Sequence, residues 1–220
     1  MSVISGLKTN AVTIGTSNTD SNNFQLRSNA DGTATLARKS DGSGGDVLTI
    51  DGGGIVTATQ GIVTNRMVLG TAQNTTSGTS IDFTGIPSWV KRITVMFNGV
   101  STSGTSPLLV QIGSGSISST VYVSACTRVG NASAAAVSTV GYLITADTGP
   151  ASIYHGSVTL FLQDSLKWTA TVMLGRTDDG YSQVGGGSKT LSGTLDRLRL
   201  TTVNGTDTFD AGSVNIMYEG

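Results

Sequence analysis

The sequence predicts an all-β protein: an extended N-terminal β-hairpin stalk over residues 1–66, a linker over 67–80, and an eight-stranded jelly-roll-like β-sandwich over 81–220. Three observations predict it. Charged residues make up only 12% of the chain, and Glu219 is the single glutamate, so the long helix-forming side chains that fill exposed helix positions are scarce. Apolar residues alternate with period two along run after run, the pattern of half-buried strands. Clusters of Gly, Ser, Asn and Asp separate these runs, and those are the residues that turns need.

Residues 1–66 come first. Apolar pairs Val12/Ile14, Phe24/Leu26, Ala34/Leu36 and Leu48/Ile50, with Ile55, are separated by Asp31-Gly32, Asp41-Gly42 and Asp51-Gly52. Asp-Gly steps mark tight turns because both residues tolerate the positive φ that hairpins demand. Phe24 is the only aromatic residue of the segment, and so little apolar bulk cannot bury a core that offsets chain entropy. The segment is therefore expected to order only when covered, either by identical chains in a slender homotrimer or by a docking partner. Gly44-Gly45-Asp46-Val47-Leu48 loosely matches a calcium-binding nonapeptide, but that repeat works through stacked copies and one copy is present. A turn is the reading there, and neither metal nor cofactor is expected.

Residues 67–80 pass into the polar tract Thr71-Ala-Gln-Asn-Thr-Thr-Ser-Gly-Thr-Ser80, a linker by composition. The head opens with Ile81-Asp-Phe-Thr-Gly-Ile-Pro-Ser-Trp-Val-Lys-Arg-Ile-Thr-Val-Met-Phe-Asn-Gly-Val100, where Ile93, Val95 and Phe97 alternate with Arg92, Thr94, Met96 and Asn98. Further apolar rows are Leu108/Val110/Ile112, Val121/Val123, Tyr142/Ile144, Val158/Leu160/Leu162, Trp168/Ala170/Val172/Leu174, Leu198/Leu200 and Val214/Ile216/Tyr218, which makes eight strands. Eight antiparallel strands with one apolar face each fit two packed sheets, and a jelly roll is a common solution. The Ala-rich stretch 130–137 is the exception, read as one helical turn capped by Asn131 or Ser133. Trp89, just after Pro87, is expected to seal an edge of the core and Trp168 to lie within it. Cys126 has no disulfide partner and reads as a small buried hydrophobe.

Net charge is −1 with no basic stripe, which argues against a nucleic-acid partner held through its phosphates. No apolar run approaches the ~20 residues of a membrane-spanning helix, so no membrane insertion is expected. Met1-Ser-Val-Ile-Ser lacks the basic start and apolar core of a signal peptide.

The opening run from Ile81 to Ser101 and the closing run Gly193-Thr-Leu-Asp-Arg-Leu-Arg-Leu-Thr-Thr-Val-Asn-Gly-Thr-Asp-Thr-Phe-Asp-Ala-Gly-Ser-Val-Asn-Ile-Met-Tyr-Glu219 together resemble the C-terminal domain of tailed-bacteriophage fibre and virion appendage proteins. Asn23-Phe-Gln-Leu-Arg-Ser-Asn-Ala-Asp-Gly-Thr-Ala-Thr-Leu-Ala-Arg38 and Val47-Leu-Thr-Ile-Asp51 resemble leaders of phage tail proteins. The resemblance implies a trimeric, β-rich appendage of the virion, assembled in the bacterial host cytoplasm. Its N-terminal segment would be anchored to a baseplate, tail or capsid protein, and its distal domain would meet a glycan or protein of the host surface. A capsid-mounted head fibre or decoration protein is the alternative placement. The resemblance fixes no site residue.

Some appendages cleave polysaccharide, a chemistry that needs two carboxylates at a set separation. Asp178-Asp179 is the only adjacent acidic pair. It sits in 175–187, which reads as a long flexible loop, where carboxylates are poorly preorganised for catalysis. His155 is the only histidine, with no Cys or second His to complete a metal site or triad. Ser188-Lys189 is a serine-lysine pair in name alone, and no coil repeat of a parallel β-helix is visible. No catalytic residue is expected. Binding is the better expectation: Arg176, Asp178, Asp179, Tyr181 and Gln183, flanked by glycines, give the loop aromatic and polar equipment for a ligand. Tyr154 and His155 form a weaker second patch.

Overall fold

The computed structural model describes residues 66–220 and, before them, the backbone of five strands: β1 Ala11–Ile14, β2 Asn23–Ser28, β3 Ala34–Lys39, β4 Asp46–Ile50 and β5 Val56–Thr57. These five pair antiparallel in chain order. Their register sets Val12, Leu26, Leu36 and Leu48 in line across four strands. They belong to one compact unit, Met1–Thr64, and the rest of the chain, Asn65–Gly220, forms another.

The second unit is all strand and connection. Its elements are β6 Met67–Leu69, β7 Gln73–Asn74, β8 Ser80–Thr84, β9 Arg92–Thr102, β10 Leu108–Ser114, β11 Ser116–Ile117, β12 Val123–Val129, β13 Ala134–Ser138, β14 Tyr142–Leu143, β15 Tyr154–Asp164, β16 Lys167–Arg176, β17 Tyr181–Thr190, β18 Arg197–Thr202 and β19 Phe209–Glu219. No helix occurs among the described residues, so none is long and apolar enough to cross a membrane. The larger sheet runs β13-β12-β17-β16-β15-β9-β19-β6, with β7 also on β19. The smaller runs β11-β10-β18-β8, with β14 on β10. Every pairing is antiparallel.

One core lies between the two sheets. From the larger sheet, Val172, Val158, Val95 and Ile216 stand side by side in register across four strands, all buried. Such β-branched rows pack well on a pleated surface. Leu108, Val110 and Ile112 of β10, Leu198 and Leu200 of β18, and Ile81 and Phe83 of β8 close on them from the smaller sheet. Each fully buried side chain of this kind contributes about 1.5–3 kcal/mol. Trp168 lies inside this core; Trp89 packs at its edge against Tyr218, ring centroids 5.8 Å apart, under the Arg66 guanidinium. Cys126 belongs to a small satellite cluster with Leu143 and Ala146, and burial pushes its thiol up to about 12.

Several expectations are corrected. The eight expected strands are present, but the unit holds fourteen. Residues 175–187 are no loop: they are the end of β16, a four-residue turn over 177–180 and most of β17. The glycines there misled because they lack side chains to alternate. Gly185 and Gly187 are small because β12 passes so close that an added Cβ would meet Ala125 O at 2.6 Å and Val123 O at 2.5 Å. The helical turn expected within 130–137 is strand β13, whose pairing with β12 and packing of Ala134 and Ala136 on the Cys126 cluster override alanine's helix preference. Residues 67–80 carry β6 and β7, both paired to β19. The apolar row Val121/Val123 faces out, 78% and 72% exposed, while Tyr122, Ser124 and Cys126 face in.

Candidate functional site

The residues expected to bind gather where three connections meet: the β12–β13 turn, the β14–β15 segment and the β16–β17 turn. Arg176 and Tyr181 are opposite one another at the mouth of the last of these, and Gly180, at φ 76°, supplies the left-handed residue that closes it. Gly180 N–H donates to Arg176 O at 3.0 Å.

The Arg176 guanidinium holds both carboxylates. Its Nη2 lies 3.0 Å from Asp178 Oδ2 and 3.0 Å from Asp179 Oδ2, and its Nε is 3.1 Å from Asp178 Oδ2. Asp178 Oδ1 also accepts Ile153 N–H at 2.9 Å, and Thr177 N–H donates to Ile153 O at 2.9 Å, so the hairpin tip is tied to the segment before β15. Burial works to raise the Asp178 carboxyl, but the hydrogen bonds from Arg176 and Ile153 N outweigh it and hold the carboxyl below its ordinary range. A general acid for glycoside cleavage needs the opposite shift.

Tyr181 is half-buried, its ring wedged between two neighbours. The Arg128 guanidinium lies 4.6 Å from the ring centroid, a cation–π contact, and a Cβ on Gly130 would strike the ring at 1.9 Å. Arg128 in turn pairs with Asp147 and donates to Ala132 O. That ion pair is invisible in the sequence, because its members stand on β12 and in the β14–β15 segment. Gln183 is one turn-end away but inward, 0% exposed, with Oε1 accepting Ala146 N–H at 2.9 Å and the Cys126 thiol at 3.7 Å. Arg176, Asp178, Asp179 and Tyr181 are therefore brought together at the surface, and Gln183 is not among them.

Three buried polar atoms at this end, Asp147 Oδ1, Thr148 Oγ1 and Gln183 Nε2, have no partner in the protein. The neighbouring patch divides. Tyr154 is buried and donates its hydroxyl to Asp147 O at 3.1 Å, and burial raises its phenol. His155 Nδ1 accepts Gly99 N–H at 3.3 Å. Ser188 and Lys189 are neighbours on β17 and so project to opposite faces, which separates the hydroxyl from the amine.

This end of the second unit is thus largely self-neutralised, presenting paired carboxylates, two guanidinium groups and one tyrosine edge. Such a surface can hydrogen-bond hydroxylated or charged groups; it holds no nucleophile–base pair and, among the described residues, no cluster of three metal-ligating side chains. No protein-family model, no curated protein and no solved structure matches this chain.

Proposed function

We propose that the chain is a structural protein of a bacteriophage virion: a homotrimeric tail fibre that adheres to the host surface. Residues 1–66 form an extended attachment and intertwining stalk, and 81–220 a jelly-roll-like head. The observation that carries this reading is the front unit, five short antiparallel strands in a segment with one aromatic residue. A meander so poor in bulk needs outside cover, and two further copies supply it. The β-only head and the resemblance of 81–219 to phage appendage domains support the same reading. So do Val123 and Val137, 72% and 82% exposed on the outer face of the larger sheet, a surface suited to burial between like chains.

Adhesion is non-covalent. Three copies of a weak site, built on the tip that carries Arg176, Asp178, Asp179 and Tyr181, gain avidity against a host glycan or protein without any single tight contact. The stalk docks on a baseplate, tail or capsid protein. Light scattering of the full-length protein beside a chain starting at Asn65 tests the assembly. A trimer whose association weakens when the front unit is removed is the expected result. Two monomers overturn the intertwined stalk and leave a decoration protein, ordered by its virion neighbours, as the better account.

A further inference from the structure

At the other end of β17, away from Tyr181, a lysine occupies an inward position. Lys189 is 7% exposed and stands opposite Trp168 in the β16–β17 register. Buried ammonium groups are rare because desolvation is costly unless a counter-charge stands beside them. Here the partners are neutral. Nζ donates to Thr120 O at 2.5 Å and lies 5.0 Å from the Tyr122 ring centroid. Among the described residues no carboxylate pairs with it.

Lys189 borders a cleft of about 540 Å³, within the size range of small-molecule sites. Ser116, Ser118, Ser119, Thr190 and Ser192 line it, and no acidic residue does. Its rim is fixed from within. The Tyr122 hydroxyl donates to Ser118 O at 3.0 Å, and Val121, next to the Thr120 carbonyl that faces the ammonium, is held at φ 59°, a conformation costly for a β-branched residue. Burial draws the ammonium below its ordinary value, so an anion alongside it would favour the charged form.

We propose that this cleft binds an acidic saccharide, with a carboxylate or phosphate oxygen on the Lys189 ammonium and sugar hydroxyls on the surrounding serines and threonine. The charge-assisted bond supplies the affinity and the hydroxyl lining the preference for a polyol over a bare ion. The site does not rest on trimeric assembly, which light scattering of the same sample reads separately.

Isothermal titration of the full-length protein with glucuronate, glucose 6-phosphate, inorganic phosphate and glucose tests it. Both sugar acids should bind, glucose should not, and inorganic phosphate should bind more weakly than either acid. Lys189→Met should weaken the sugar acids about 10-fold or more while leaving the melting temperature equal or higher, since it removes a buried charge. Ser119→Asp, which puts a carboxylate at the exposed rim, should abolish binding with the fold intact. No binding of either acid to the wild-type protein at tens of millimolar overturns the site, as does unchanged affinity in a folded Lys189→Met. Phosphate binding as tight as that of the sugar acids overturns the saccharide assignment.

Discussion

Replacing Tyr122 by Phe removes one oxygen and leaves the ring, which makes it a clean probe of how the second unit is held. The ring keeps its edge contact with Tyr142, centroids 5.1 Å apart at 86°, and stays beneath Lys189. What goes is the acceptor for Ile112 N–H at 2.8 Å and the donor to Ser118 O at 3.0 Å. Ile112 is fully buried, so its N–H is left without water or protein partner, whereas Ile112 O keeps the Ser118 N–H at 3.0 Å. One orphaned buried donor costs about 1–3 kcal/mol and the lost second bond about 1 kcal/mol. The net loss should be about 2–4 kcal/mol, a fall in Tm of about 4–16 °C for a unit of this size. Urea unfolding followed by tryptophan fluorescence reads it as a lower midpoint at unchanged slope. Tyr142→Phe is the control: its hydroxyl only donates, to Trp168 O at 2.9 Å, so no donor is stranded and about 1 kcal/mol is expected. A Tyr122→Phe loss below about 0.5 kcal/mol, or one no larger than that of Tyr142→Phe, refutes the reasoning.

Alkali should destabilise the second unit by a calculable route. Burial lifts the Tyr122 phenol to about 12, against about 10 in an unfolded chain, so its contribution is intact below pH ~10 and is lost as pH climbs toward 12, about 3 kcal/mol in all. Burial shifts Tyr142 and Tyr154 in the same direction, and a urea midpoint that does not move between pH 8 and 11 would contradict this. Gly187→Ala places a Cβ 2.5 Å from Val123 O and should cost about 2–3 kcal/mol, while Gly175→Ala, with nothing nearer than 3.9 Å, should stay within about 0.5 kcal/mol; equal denaturation midpoints would rule out close strand approach as the cause. Val121→Asn, at an exposed left-handed position that Asn tolerates, should raise stability by about 1 kcal/mol in the same assay, and a loss would show that the valine side chain matters more than its φ. Arg176→Met should cost about 1 kcal/mol at pH 7. Because the folded Asp178 carboxyl is held below its unfolded value, that contribution is present above pH ~4 and fades as pH falls through the folded value, so the gap to wild type in thermal melts should narrow as the pH is lowered from ~4; an undiminished gap would assign the loss to packing.

Strands whose apolar residues alternate against polar ones were legible because burial imposes the period directly: Ile93/Val95/Phe97 and Trp168/Ala170/Val172/Leu174 face the core as read. Where strand formation rests on something other than side-chain burial, the reading failed. β17 is held by pairing on both edges and its inward row is Gln183, Gly185, Gly187 and Lys189, which carries no apolar signal. β13 is alanine, whose small size fits the satellite cluster and whose local preference points the other way. Val121/Val123 had the right period with the wrong phase, since the buried row here is Tyr122, just before β12, with Ser124 and Cys126 within it, and only Tyr122 is large. At the expected site, composition found Arg176, Asp178, Asp179 and Tyr181, which are near in sequence, but not Arg128 and Asp147, which the fold alone brings to them.

The contrast between the two ends of β17 bears on where a ligand would gain most. At the Tyr181 end, Arg176 is matched by Asp178 and Asp179, and Arg128 by Asp147. A ligand arriving there must compete with bonds already made, and its polar contacts replace partners instead of adding them. At the Lys189 end, the ammonium belongs to a side chain only 7% exposed, and its partners are a carbonyl and a ring face. An oxyanion there restores a missing counter-charge, so the same bond is worth more. The two ends of one strand thus differ in kind, a neutralised tip whose partners are already made and a cleft where one contact would select for charge. Lys189→Met should therefore abolish most of the affinity for glucuronate, and an affinity that survives it would place the binding at the Tyr181 end instead.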